Sequence, residues 1–297
     1  MIATIAGIRR GSQYSPNHIG NDAAIFNLTA GHLRQCGYAV NEYSEVEFID
    51  TDMQETVIFN MARDTASIKK LQLLERQGCL VINSAFGIQN CTRERMTRIL
   101  LSNNIPHPES LIVRTDEPLP LSFRFLNTHC WVKRGDFHAI HREDVTYTRH
   151  PEETENVLNE YALRHINTAV INEHLEGDLV KFYGVAGSDF FYWFYPDEHC
   201  HSKFGWESIN GKAKGIPFDV DKLIAICNLA SSALNVDIYG GDGVVLKDGS
   251  VKIIDFNDWP SFAPCRALAA PYIARCIMEK ISTALLEPEI RGHDKNK

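Results

Sequence analysis

A hairpin signal near the carboxyl end of the chain constrains the fold most. The stretch Tyr239–Arg266 reads YGGDGVVLKDGSVKIIDFNDWPSFAPCR, in which two apolar runs flank Asp248-Gly249. Asp-Gly between apolar runs is a strong short-range signal for a β-hairpin, because both residues tolerate the positive φ angles of a two-residue turn. The sequence therefore predicts two paired antiparallel strands here.

The predicted turn also sets which residues lie opposite each other. With two residues in the turn, Val244 pairs with Ile253, and Asp242 pairs with Asp255. Side chains alternate faces along a strand, so Asp255 and Asn257 project to the same side. We therefore expect two carboxylates and one amide oxygen to form a single patch.

This patch has two interpretations. Like charges directly opposite each other destabilise a sheet, but Mg²⁺ takes oxygen ligands of this kind and shares them with substrate phosphates. The first interpretation is a metal site, favoured by Gly240-Gly241 before it and by the apolar loop at 259–262 after it. The second is a solvated edge hairpin whose acids happen to face each other. In this register we expect the two carboxylates to repel when no cation is present.

Composition narrows the class of protein. The chain has 297 residues, 44% hydrophobic and 23% charged, with a net charge of −8. An acidic chain does not suit general binding to nucleic acid or to an anionic membrane, and no apolar stretch reaches the length of a membrane span. Eight scattered cysteines without a CxxC pair, and an amino terminus unlike a signal peptide, indicate a reduced, cytoplasmic protein.

The first 90 residues alternate between strand and helix patterns. Ile2–Ile8 reads as a buried strand, and two further strands precede a helix at Thr65–Gln77 and a strand at Leu80–Ile82. Alternation of this kind predicts a small parallel α/β unit. Neither a GxGxxG nor a Walker motif occurs, which argues against a Rossmann or P-loop nucleotide site.

The segment IIDFNDWPSF resembles the metal site of the ATP-grasp superfamily, and is similar to ribosomal-protein glutamate-ligase-like and inositol-polyphosphate-kinase-like members. The resemblance implies an α+β and α/β protein with an ATP-grasp fold after a small parallel α/β domain. It implies an amino-terminal domain at 1–90, a central lid domain at 91–175 and a carboxyl-terminal domain at 176–297. In this family Asp242, Asp255 and Asn257 would bind Mg²⁺ or Mn²⁺ together with ATP.

Basic residues in the family's order would contact the ATP phosphates. Lys133 lies on a short strand before a basic turn with a glycine, an arrangement that suits a polyphosphate. Lys181 lies on an otherwise apolar strand and needs an anionic partner, because burying an unpaired ammonium is costly. The segment CTRERMTRILLSNNIPHP resembles the start of the ATP-grasp domain, where Arg95 matches a basic residue that often reaches the phosphates.

The segment after the predicted strand at 169–172 resembles the hinge between the two lobes. The resemblance implies that the backbone of Glu173, His174 and Leu175 meets the edge of the adenine. An acid just beyond would bind the ribose hydroxyls, and both Glu176 and Asp178 compete for this role. We expect Asp178 to bind the ribose.

The implied function is an ADP-forming ligase. It would activate the carboxylate of a small molecule or peptide as an acyl phosphate and join it to an amine. The loop from Trp259 to Arg266 would face the acceptor, where Cys265 and Arg266 could hold a substrate carboxylate, and Lys133, Lys181 and Arg266 would be the catalytic residues. A small-molecule kinase on the same fold and a nucleotide-binding module without activity remain as alternatives.

Overall fold

The structure, a computed structural model, describes residues 4–14, 19–120, 124–136, 142–196 and 209–293. Within these residues the chain builds three four-stranded sheets, one after another along the sequence. The predicted mixture of α/β and α+β architecture is confirmed. The three sheets lie within the three predicted domain ranges, whose boundaries stay predictions.

The first sheet is parallel and has helices on both faces. Its elements are β1 (Thr4–Ile8), α1 (Ile19–Gln35), β2 (Ala39–Tyr43), α2 (Glu45–Asp50), β3 (Val57–Asn60), α3 (Thr65–Arg76), β4 (Leu80–Ile82) and α4 (Ala85–Asn90). The strand order is β2-β1-β3-β4. Ile8 packs against Phe48 and Leu71 on one face, whereas Ile5 packs with residues of α1 on the other. Burial of both faces is what a parallel sheet requires.

The second sheet is antiparallel, and α6 covers one of its faces. Its unit contains α5 (Arg93–Ser102), β5 (Ser110–Arg114), β6 (Cys130–Arg134), β7 (Val145–Thr148), α6 (Pro151–Leu163) and β8 (Thr168–Glu173), with strand order β5-β8-β6-β7. Val132 and Ile171 pack against Leu158 and Tyr161 of α6. Because side chains alternate along β6, Lys133 projects from the opposite face.

The third sheet is also antiparallel. Its unit contains β9 (Gly177–Val185), β10 (Phe191–Phe194), α7 (Val220–Leu234), β11 (Ile238–Leu246), β12 (Val251–Asp258) and α8 (Arg266–His293), with strand order β10-β9-β11-β12. Phe182, Tyr239 and Phe256 form a core with residues of α5 and α7 on one face. Side chains alternate between the two faces along a strand. Lys181 and Asp242 are out of phase with the core residues of β9 and β11, so they project from the other face.

The long carboxyl-terminal helix joins the first and third units. Ile273 and Ile277 of α8 share a core with Ile25 of α1 and Phe59 of β3, and Trp259 lies in the same cluster. The segment that follows β12 is therefore held against the amino-terminal sheet. This packing brings the end of β1 close to the end of β12.

Candidate functional site

The two acids of the hairpin lie opposite each other, as predicted. Asp242 of β11 pairs with Asp255 of β12, and Gly240 pairs with Asn257. Asp242 also lies opposite Lys181 of β9. Directly opposite residues share a face of the sheet, so Asp242, Asp255, Asn257 and Lys181 form one polar surface, which we call the acid face.

The predicted register is wrong near the turn. The loop has three residues at 247–249, because the Leu246 N–H donates to the Ser250 carbonyl at 2.8 Å and Gly249 adopts a φ of 79°. A glycine with positive φ closes the common three-residue hairpin loop. Val244 therefore pairs with Lys252 rather than Ile253. A bulge at Ile254 then inserts one residue and restores the predicted pairing at the acids.

The bulge also decides which face Asp255 occupies. Val251 and Ile253 point into the core beneath α7, and strict alternation would send Asp255 into the same core. The extra residue, Ile254, reverses the phase, so Phe256 enters the core and Asp255 joins the acid face. Bulges are frequent next to functional sites because they re-aim side chains in this way.

Basic side chains contact both acids. The Lys181 Nζ lies 3.0 Å from the Asp242 Oδ1. Arg93, at the start of α5, makes a two-pronged contact with Asp255, at 2.9 Å to Oδ1 and 3.3 Å to Oδ2. Burial raises the pKa of Asp255, but Arg93, Lys133, the bond from Asn257 and Lys181 together outweigh burial, and the net shift is downward. The expectation of two unrelieved, repelling acids is therefore wrong, because each acid has a cation beside it.

Lys133 lies on β6, on the face of the second sheet that meets β12 of the third sheet. Its side chain is buried, and its Nζ donates to the Ile254 carbonyl at 3.2 Å. Burial and the neighbouring Arg93 lower its pKa to about 7, while Asp255 and Asp242 act in the opposite direction. A buried lysine with a pKa near neutrality, held beside carboxylates, is typical of a functional site.

The structure places Arg93, rather than Arg95, beside the acids. Arg95 is exposed on α5, whereas Met96 and Leu100 are buried. Residues three and seven positions apart share a helix face, so Arg93 lies on the buried side with Met96 and Leu100. The spacing of these apolar residues was the signal that would have selected Arg93 from the sequence. The phosphate role of Arg95 stays a prediction.

Two of the three backbone N–H groups in the predicted hinge already donate hydrogen bonds within the protein. The Glu173 N–H donates to the Glu109 carbonyl and the His174 N–H to the His129 carbonyl, both at 2.9 Å. The Glu173 carboxylate accepts from the Lys252 Nζ at 2.8 Å. Of the three predicted hinge residues, Leu175 is therefore the one for which these contacts leave the backbone N–H to a ligand.

The two candidate ribose ligands differ in accessibility. Asp178 is buried, and its two carboxylate oxygens accept from the backbone N–H groups of Lys214 and Ile216, each at 2.8 Å. Glu176 is exposed and pairs with Lys247 at 2.8 Å. The preference for Asp178 is thus not supported by its surroundings, since its carboxylate is occupied in holding a neighbouring segment.

The loop after β12 ends at Arg266, which projects towards α1. Its guanidinium donates to the Asn21 Oδ1, and its Nε is buried with no hydrogen-bond partner within the described residues. Cys265 is buried, and burial raises the pKa of its thiol to about 12. Of the two predicted substrate contacts, only Arg266 therefore carries a charge that can attract a carboxylate.

Two further arginines, which the sequence reasoning missed, hold this loop in place. Arg10, directly after β1, pairs with Asp22 at 3.2 Å and donates to the Trp259 carbonyl at 2.9 Å. Arg63, after β3, contacts Asp258. Both follow strands of the parallel sheet at their carboxyl ends, which is the edge where such sheets bind ligands. That position was the available signal.

A cavity of about 210 Å³ opens beside Arg10. It lies between the segment that follows β1 and the first turns of α1, and residues of both line it. The lining residues are Arg9, Arg10, Gly11, Ser12, Asp22, Ala23 and Phe26. Its size suits a small molecule or the end of a peptide.

Two searches of the described residues have negative results. Across 4–14, 19–120, 124–136, 142–196 and 209–293, no cluster of three or more His, Cys, Asp and Glu side chains is arranged to bind a metal. The acid face has two acids and an amide and thus falls outside that criterion. In the same part of the chain, no helix combines the length and apolar character needed to cross a bilayer.

Solved structures similar to this chain include D-alanine–D-alanine ligases and an ATP-grasp protein. A D-alanine–D-alanine ligase from Bacillus anthracis in complex with ATP superposes with a TM-score of 0.70 at 14% identity, covering 96% of this chain and 99% of that one. D-alanyl-alanine synthetase A from Vibrio cholerae gives 0.66 at 10% identity, covering 94% and 98%. A RimK domain ATP-grasp protein from Sphaerobacter thermophilus gives 0.65 at 14% identity, covering 93% and 100%.

These likenesses extend over nearly the whole length of both chains. At such low identity they show a shared fold. No protein-family model matches the sequence, and the comparison with curated proteins gives no match.

Proposed function

From the ATP-grasp fold of this chain, we propose that it is an ADP-forming ligase that uses MgATP to join a carboxylate to an amine. The observation that carries the proposal is the acid face: Asp242 and Asp255 lie opposite each other with Lys181 and Arg93 in contact. Paired acids with adjacent cations suit a site for metal and polyphosphate together. One of the similar solved structures is a D-alanine–D-alanine ligase with ATP bound, which supports this class of reaction.

The nucleotide would lie between the second and third sheets. Lys133, Lys181 and Arg93 converge on the acid face from three elements and would contact the phosphates. Leu175 would meet the adenine edge, and the exposed Glu176 would bind the ribose in exchange for its surface partner Lys247. An exposed ion pair of this kind is weak, so the exchange has little cost.

The residues present fit a divalent cation. Two carboxylates and the Asn257 amide on one face are hard oxygen donors, the type that Mg²⁺ and Mn²⁺ take together with substrate phosphates. When bound, the cation would neutralise charge on the transferring phosphoryl group. Asp242, Asp255 and Asn257 would hold it.

The substrate carboxylate would attack the γ-phosphorus, releasing ADP, and the amine would then displace phosphate from the acyl phosphate. Arg93, Lys133 and Lys181 would stabilise the charge that develops on the phosphoryl oxygens. On the acceptor side, Arg266 would hold an anionic group of the substrate, because its buried Nε has no hydrogen-bond partner within the described residues. The cavity beside Arg10 would receive the rest of that molecule.

A coupled assay for ADP, run on pooled carboxylates with and without pooled amines, tests the proposal. A ligase releases ADP and phosphate when both substrates are present, and hydroxylamine traps the acyl phosphate as a hydroxamate. Lys133→Met should abolish turnover and most of the rise in melting temperature that MgATP produces. Lys222→Met, an exposed lysine on α7, is the matched control and should behave as the parent.

Two results would redirect the assignment. ADP release with a polyol alone, giving a stable phosphate ester, would identify a kinase. Nucleotide binding without turnover on any pool would favour a module that binds nucleotide without catalysis. If MgATP produces no thermal shift, the proposed nucleotide site itself is wrong.

A further inference from the structure

His107 is a buried imidazole that the proposed chemistry does not use. It lies between α5 and β5 with 7% of its surface exposed. Its Nδ1 is 2.6 Å from the Ile253 carbonyl, whereas its Nε2 is buried and has no hydrogen-bond partner in the described part of the chain. A carbonyl can only accept, so Nδ1 carries the hydrogen and a neutral ring presents a bare lone pair at Nε2.

The ring stays neutral at ordinary pH. Burial, together with the charges of Lys133 and Arg93, lowers the pKa of His107 to about 3, against the opposing effects of the bond to Ile253 and of Asp255. These three charged groups come from β6, α5 and β12, the elements packed around the ring. The contact with Ile253 therefore fixes one tautomer, with its acceptor nitrogen in cationic surroundings.

The β12 bulge brings His107 and Lys133 together. The Ile253 carbonyl contacts the His107 ring, and the carbonyl of the next residue, Ile254, accepts from the Lys133 Nζ. Consecutive carbonyls of a regular strand point in opposite directions, but the extra residue of a bulge disrupts that alternation. Both side chains are thus tethered at adjacent backbone positions. An ammonium has three N–H groups, so two remain after the bond to Ile254.

We propose that His107 is a positioning residue for Lys133, whose ammonium donates one N–H to the His107 Nε2 and directs the last at the nucleotide phosphates. The inference rests on the proposed function for the phosphate contact only. The structure shows no hydrogen-bond partner of Nε2 among the described residues, so the Lys133 ammonium would turn towards the ring to form this bond, with or without nucleotide. A buried acceptor without a partner is costly, and the charged lysine is the donor that can relieve that cost.

Substitutions at His107 separate the two ring nitrogens. His107→Asn keeps a donor for Ile253 and lacks an acceptor at the Nε2 position, whereas His107→Gln places an amide oxygen there. With a non-hydrolysable ATP analogue and Mg²⁺, we expect His107→Asn to bind about 10-fold more weakly and His107→Gln to stay within about 3-fold of the parent. Thr97→Val is the matched control, because Thr97 is a buried polar residue on α5 whose hydroxyl also lacks a partner among the described residues.

A double-mutant cycle distinguishes positioning from general structural damage. In a Lys133→Met background, adding His107→Asn should change nucleotide affinity less than about 2-fold, since the group to be positioned is gone. A 10-fold loss that persists in that background would overturn the inference, as would unchanged affinity of His107→Asn in the parent background.

A nucleotide-free measurement keeps the inference testable if the proposed function fails. At pH 6, below the Lys133 pKa of about 7, the ¹⁵N resonance of the His107 Nε2 should shift by several ppm when Lys133 is replaced by Met. Loss of a hydrogen bond to an acceptor nitrogen is the expected cause. An unchanged resonance would refute the contact, whereas a shift in a protein that does not bind nucleotide would refute only the phosphate site.

Discussion

Two acids of β12, three residues apart, have different surroundings. Asp255 lies on the acid face with 23% of its side chain exposed and contacts Arg93, whereas Asp258 is 1% exposed and contacts the buried Arg63. The first pair lies where a ligand can compete for either partner. The second pair lies at the interface between the amino-terminal sheet and the loop after β12. Similar ion pairs therefore serve different purposes, and solvent access is the difference.

Breaking the buried pair of Arg63 and Asp258 should cost more stability than breaking the pair of Arg93 and Asp255. In Asp258→Ala, Arg63 loses the carboxylate that it contacts in a buried position, and we expect a loss of about 3–5 kcal/mol in the free energy of unfolding. Chemical denaturation measures this directly. A loss below about 1 kcal/mol would show that water reaches this interface and that Asp258 and Asp255 do not differ in solvent access.

The exposed pair should matter more for turnover than for folding. Asp255→Asn removes a candidate metal ligand, and we expect ADP formation to fall about 100-fold or more. We also expect a destabilisation of about 1 kcal/mol, because Arg93 and Lys133 then lie together without the carboxylate. This reverses the outcome that two repelling acids would give. If the variant is more stable than the parent in the absence of metal, the expectation of two repelling acids is right after all.

Divalent metal should bind weakly until a nucleotide arrives, since the cations beside Asp242 and Asp255 occupy them. Arg93→Met should raise the affinity of the free protein for Mn²⁺ by roughly 10-fold and lower its affinity for ATP by a similar factor. Titration calorimetry or Mn²⁺ spectroscopy measures both. Arg98→Met, on the exposed side of α5, is the control and should change neither. Changes of the same sign in Arg93→Met would contradict the exchange of partners.

The pH dependence of nucleotide binding should report Lys133. Its pKa of about 7 leaves it neutral at pH 8, and phosphate binding requires the ammonium, so a proton must be taken up. We expect ATP affinity to fall by up to 10-fold per pH unit above pH 7 and to be flat in Lys133→Met. Between pH 7 and about 10.5 the unfolded chain holds the extra proton, so this residue makes stability rise with pH. An affinity independent of pH from 6 to 9 would show that the pKa is not depressed.

Helix α5 shows how nearly the sequence predicted the arginine that contacts Asp255. Family resemblance led to Arg95, but Met96 and Leu100 must face the core, and a helix advances about 100° per residue. Arg93 and Arg95 therefore project to nearly opposite sides. The apolar spacing contained this information, and applying it before the resemblance would have selected Arg93.

The β11–β12 hairpin contains a feature that the sequence alone could not predict, the bulge at Ile254. The pairing of Asp242 with Asp255 was right although the turn was wrong, since a three-residue loop and a bulge at Ile254 cancel each other. Nothing local requires that bulge. It arises because Val251, Ile253 and Phe256 all enter one core, which a regular strand cannot achieve.

The sequence by itself determined the parallel amino-terminal sheet, the hairpin and the residues that form its acids, because strand and helix periods and turn residues act over short distances. The tertiary structure decided which face each acid occupies and which cation meets it. It also decided that Asp178 is enclosed while Glu176 is free to the solvent. These outcomes depend on the packing of elements distant in sequence, where burying apolar surface outweighs the preference of any single polar side chain.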